Sequence, residues 1–129
     1  MKRLICVLVV SGFVAAVALV QQPKASAVDA CGEKGQPSCP LQGWMEKNMD
    51  PAVDAKDSKA LAAALEKSVT LVPDPKWNEG DNGWAKLAKE GAAAASGGDI
   101  AAAKKSCKSC HKAWRDKYKT QFRTKPIKG

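Results

Sequence analysis

Large aliphatic side chains are scarce in this sequence. Residues 28–129 hold five Leu, two Ile and four Val, with four Trp, one Tyr and one Phe beside them. A domain of about 100 residues gains little margin from such a core alone, so something other than side chains is expected to fill its centre. β-Branched residues are also few and alanine is abundant, which leaves no convincing strand and predicts an all-α fold. Histidine occurs once, at His111. With that imidazole committed elsewhere, as argued below, no second base remains for peroxidase-type chemistry, and an enzyme is not expected.

The one long apolar run, Leu4 to Val20, has 17 mostly small residues, marginal for crossing a bilayer. Lys2 and Arg3 precede it, and Ala25-Ser26-Ala27 follows with the small-x-small pattern of signal-peptide cleavage. Residues 1–27 therefore read as a cleaved signal peptide and 28–129 as a single domain exported across the cytoplasmic membrane to the periplasm. A retained anchor facing the periplasm, and so proximity to a membrane, is the alternative. Val28-Asp29-Ala30-Cys31 faintly suggests lipoprotein acylation, but Asp29 argues against it. Cys6 leaves with the leader, and the four remaining cysteines suit an oxidising exterior.

Helical periodicity marks four segments. The first, about 40–55, opens at Pro40 and meets an interruption or kink at Asp50-Pro51. The second, about 57–72, is capped by Asp57 or Ser58 and places Leu61, Leu65, Val69 and Val72 on one face. The third runs over about 83–96 to Gly97-Gly98, and the fourth, about 99–123, is capped by Asp99. Ile100, Cys107, Cys110, Trp114, Tyr118 and Phe122 share a stripe of that last helix. Short connections favour antiparallel neighbours, predicting an up-down-up-down four-helix bundle. Trp77, in the linker PDPKWNEGDNG, receives no role.

Within the fourth segment, CKSCH at residues 107–111 is the attachment pattern of a covalently bound c-type haem. Thiols three residues apart lie on nearly one side of a helix, placed to form thioethers with the two vinyl groups of one porphyrin edge. His111, four beyond Cys107, then serves as proximal iron ligand. A thioredoxin-like reading of Cys107 and Cys110 lacks its strand-to-helix setting. A zinc site would need further ligands, for which Cys31 and Cys39 are candidates. In an exported chain those two more readily form a disulfide across CGEKGQPSC, tying the N-terminal segment to the first helix.

The haem motif in the last helix, with the continuation KAWRDKYK, resembles the class II c-type cytochromes, the cytochrome c′ group. The resemblance implies a haem held between four helices, His111 as fifth ligand, and the first helix facing the distal side. The CGEKGQPSC element is not part of that family's usual pattern, and this chain is shorter than most members. Met45 and Met49 lie four apart on the first helix, and thioether sulfur is a recognised partner of histidine in electron-transfer haems. Gln42-Gly43-Trp44-Met45 is similar to the Gln-x-x-Met stretch of low-spin class II members, which nominates Met45 ahead of Met49. Core filler is the other use of both.

These residues predict an electron carrier with haem c in His/Met ligation. If neither methionine reaches iron, the expectation becomes a five-coordinate haem protein binding or sensing a small gas such as nitric oxide or carbon monoxide. A haemless, disulfide-stapled binding module is a third reading. Charge bears on partners: residues 104–129 carry ten Lys or Arg against one Asp, whereas residues 28–103 carry eight against twelve Asp or Glu. Redox partners with acidic docking surfaces are expected, and nucleic acid is not. Nothing in the sequence decides between monomer and homodimer.

Overall fold

The computed structural model describes residues 30–128; the segment read as a signal peptide lies outside them. Five α-helices are present: α1 Pro40–Asn48, α2 Asp50–Asp54, α3 Ser58–Ser68, α4 Trp84–Ser96 and α5 Ile100–Lys117. Single 3-10 turns follow α3 at Val69–Leu71 and cross the linker at Pro75–Asn78, and one π turn, Tyr118–Phe122, continues α5. No strand occurs among the described residues, so the chain is all-helical and the elements form four helical segments. Among the described residues, no helix is long and apolar enough to cross a membrane.

The boundaries follow from local chemistry. Pro40 begins α1, where its missing N–H costs nothing. Asp57 caps α3 by accepting from Ala60 N at 2.9 Å, and Asp99 caps α5 by accepting from Ala102 N at 2.8 Å. Gly98, at φ +82°, ends α4 in the left-handed region. The first segment is two helices, with the break at Met49 (φ −97°) just before Asp50-Pro51. Pro51 disfavours helical geometry in the preceding residue and cannot donate to the turn before it. The second segment tightens after Ser68 into 3-10 geometry, which changes its inward set. Leu61, Leu65 and Leu71 are buried, while Val69 and Val72 are only half-buried.

Two side-chain clusters fill the interior. Ala52, Leu61, Leu65, Ala92, Ala95 and Ala103 form a small-residue core between α2, α3, α4 and the start of α5. Small side chains bring the helices close, and α4 makes close backbone approaches to both α3 and α5. Gly91 is one such point, since a Cβ there would lie 3.2 Å from Leu65 Cδ1 and 3.3 Å from Ser106 Cβ. Ser106 Oγ also donates to Leu87 O, tying α5 to α4.

The second cluster is aromatic and gathers Leu41, Leu71, Trp77, Trp84 and Phe122. Trp77 is at its centre, a role the sequence reading did not assign. It is 4% exposed, stacks on Trp114 at 4.8 Å and 12°, and meets the edge of Phe122 at 5.1 Å. Trp84 Nε1 donates to Ser68 O at 2.8 Å and Trp114 Nε1 to Asn82 O at 2.9 Å, so both indoles keep their polar atom satisfied.

Cys31 and Cys39 are disulfide-bonded, with Cα atoms 4.9 Å apart. Closing so short a loop stabilises by about 2–3 kcal/mol on the chain-entropy account. Gly32, at φ +79°, has no room for a Cβ, which would stand 2.8 Å from Cys39 Sγ. The loop packs on the C-terminal end of the chain: Cys31 Sγ lies 3.7 Å from Arg123 O, and Glu33 pairs with Arg123 at 2.9 Å.

Candidate haem site

α1 has its close backbone neighbour in α2 and meets α5 chiefly through side chains of the aromatic cluster. The space between them is a cavity of about 620 Å³, open to solvent. Its inner walls include Leu41, Met45, Trp84, Cys110, Trp114 and Tyr118, and His111 lies among them. A second, smaller cavity of about 30 Å³ adjoins it deeper in the fold, lined by Met45, Met49, Cys107, Cys110, His111 and Trp84 among others.

The candidate residues are thus brought together on facing elements. Cys107, Cys110 and His111 come from α5, Met45 from the middle of α1, and Met49 from the α1–α2 break. Met45 and Cys110 pack against the aromatic cluster, whereas Met49 and Cys107 pack against the small-residue core. The cysteine pair therefore straddles the junction of the two clusters, and each methionine lies on the side of one cysteine. Met45 borders both cavities; Met49 borders the smaller one.

Both thiols are unpaired and half-buried. Burial raises the Cys107 thiol above its ordinary range, and burial together with the neighbouring Cys107 pushes Cys110 up to about 12. Reactive dithiols of oxidoreductases are tuned the opposite way, toward the thiolate, so a thioredoxin-like role fits poorly here. The zinc alternative loses its extra ligands, because Cys31 and Cys39 are bonded to each other. Among the described residues, no three His, Cys, Asp or Glu side chains gather as a metal cluster.

His111 presents an edge to solvent, yet the surrounding walls desolvate its ring enough to lower its pKa. Arg115 lowers it further and Asp50 partly opposes. The shift favours the neutral imidazole, the form with a lone pair for a metal.

The chemistry and size of the site fit a haem. The Cys110 thiol and the His111 imidazole line it from α5 and the Met45 thioether from α1, the Cys107 thiol lines the smaller cavity beside it, and the larger volume falls in the roughly 300–1,000 Å³ range of cofactor sites. Trp77 backs this wall through its stack on Trp114 and was missed because it sits in a proline- and glycine-rich linker. Its local signal is the run Asp74-Pro75, in which Asp74 accepts from Lys76 N at 3.0 Å and starts the 3-10 turn that carries the indole inward. Arg115, Lys119 and Arg123, counted in the sequence only among the basic residues of 104–129, also line the cavity. Their four-residue spacing from His111 was the available clue.

Comparison with protein-family models, with curated proteins and with solved structures finds no match to this chain.

Proposed function

We propose that this chain is an exported monohaem c-type cytochrome that carries electrons. The observation that carries this reading is the CKSCH motif on α5 with both thiols free, Cys110 and His111 lining a cofactor-sized cavity that Met45 also lines, and Cys107 lining the small cavity that shares those three residues. Cys107 and Cys110 would hold the group by adding their S–H bonds across its two vinyl double bonds, which needs no oxidant. His111 would take the proximal position and Met45 the distal one, with Met49 second. Bound there, haem would supply a one-electron couple at its iron.

The remaining residues would govern how that couple is used. Trp84, Trp114 and Leu41 restrict water on the inner side, and paired His and Met ligands would keep the surroundings of the metal alike in both oxidation states. The four helical segments are read as an up-down-up-down bundle with α5 as the haem-bearing helix, as the resemblance to class II cytochromes implies. The periplasm is the proposed location, and acidic redox proteins are the proposed partners, drawn by the basic C-terminal segment. Free Met49 and Met45 sulfurs would instead favour the gas-binding reading.

Reduction kinetics test the carrier function. Stopped-flow reduction of the holoprotein by a small anionic donor should slow steeply as ionic strength rises, because salt screens the basic surface over a Debye length of about 10 Å at 0.1 M. Lys105→Glu/Lys112→Glu, both exposed and outside the cavity, should flatten that slope. A wild-type rate insensitive to salt would remove the steering argument, and a holoprotein that resists reduction would remove the carrier function.

A further inference from the structure

Charge of opposite sign borders the large cavity. Glu33, Glu46 and Asp50 line it from the disulfide loop, α1 and α2, and Arg115, Lys119 and Arg123 line it from α5, the π turn and the residue after that turn. Glu46 is held on its own wall, accepting from Ser38 Oγ and from Gln42 Nε2 at 2.7 Å. Glu33 alone reaches across, to Arg123 at 2.9 Å, with the two side chains 62% and 38% exposed. Among the described residues, Arg115 and Lys119 form no ion pair.

We infer that Lys119 and Arg123 form a carboxylate subsite that receives the two propionate groups of a haem attached at Cys107 and Cys110, with Glu33 occupying Arg123 in their absence. The inference rests on the haem reading above. Attachment at the two cysteines fixes one edge of the porphyrin, and its propionates project from the opposite edge. Cys110 and Lys119 are nine residues apart on the continuous α5 and π-turn segment, a rise of about 13 Å, comparable to the width of the ring. Trp114 and Tyr118, between those two positions in the chain, line the same cavity, and Arg123 lines it one turn beyond Lys119.

The chemistry matches at that end. Two carboxylates bring two negative charges to two cations, and a guanidinium offers them a planar pair of donors. Exchange is easy, because an exposed pair such as Glu33–Arg123 is weak. Arg115 is one turn from His111 and belongs to the surroundings of the imidazole rather than to the far edge. The disulfide loop thereby gains a role: it carries Glu33 and holds it beside Arg123, closing the same end of the cavity.

The test uses holoprotein with haem attached, comparing wild type with Lys119→Gln/Arg123→Gln and with Glu33→Gln. The readouts are the reduction potential as a function of pH and the resonance Raman bending modes of the propionates. In wild type the cations keep both propionates ionised, so the potential should be flat between about pH 5 and 8. In the double variant, with the cations gone and the Glu33, Glu46 and Asp50 carboxylates still lining the cavity, the propionate titration should move up into the lower part of that range. The potential should then fall as pH rises, since an ionised carboxylate favours the oxidised iron, and the bending modes should shift. Glu46, Asp50, His111, Arg115 and Tyr118 also face the site and are unchanged in every variant. Glu33→Gln should stay flat, separating loss of the loop contact from loss of the subsite. Identical pH profiles and Raman modes in wild type and double variant would overturn the subsite and leave the haem reading standing. A Glu33→Gln profile that copies the double variant would also overturn it. A wild-type protein that binds no haem overturns both.

Discussion

The Cys107→Ala/Cys110→Ala variant, produced without haem, should lose cooperative folding. The reason lies in how the interior is divided. Helices α3, α4 and α5 are held together by alanine, leucine and the Gly91 contact, but α1 faces α5 across a cavity of about 620 Å³. Taking its apolar lining out of water would contribute roughly 3 kcal/mol at ~25 cal/mol/Å². The total stability of a domain is typically about 5–15 kcal/mol, so this is a large share of what keeps α1 docked. Each kcal/mol lost moves the Tm of a domain this size by roughly 4–8 °C. Circular dichroism should show helix retained in part and a broad, shallow melt. A sharp melt within about 5 °C of the holoprotein would show that the side chains alone suffice.

Met45→Ala should convert the holoprotein from a carrier into a binder of carbon monoxide. Met45 lies in the middle of α1 and borders both cavities, whereas Met49 sits at the helix break and borders the smaller one. A residue fixed within a helix holds its rotamer better than one at a kink. Loss of the near-infrared sulfur-to-iron charge-transfer band is expected in Met45→Ala. Carbon monoxide uptake by the reduced protein should rise by at least about tenfold, equivalent to ~1.4 kcal/mol. Met49→Ala should keep the band. Loss of the band in Met49→Ala alone would move the ligand to Met49. A wild type without the band, and with fast uptake, would favour the gas-binding reading.

How much of this was legible in the sequence depended on whether the signal was local. Pro40, Asp57, Asp99 and Gly97-Gly98 place helix ends through interactions spanning a few residues, and the helices start or stop where those residues stand. The CKSCH motif is equally local. By contrast, the split at Met49 depends on how Pro51 resolves its missing donor, and the tightening after Ser68 swaps Leu71 for two valines. Trp77 was illegible because its burial comes from partners at Trp84, Trp114 and Phe122, up to 45 residues away. The rim cations were visible as charges but not as neighbours of a cavity, since nothing in the spacing of α5 says that a cavity lies between it and α1.

The central claim, a haem bound covalently through Cys107 and Cys110, is tested most directly by visible absorption of the exported protein, oxidised and reduced, before and after extraction with acidified acetone. A red protein is predicted, with sharp bands on reduction and colour that stays with the polypeptide after extraction and is absent from Cys107→Ala/Cys110→Ala. A colourless protein with both thiols free, or colour that leaves with the solvent, would contradict it.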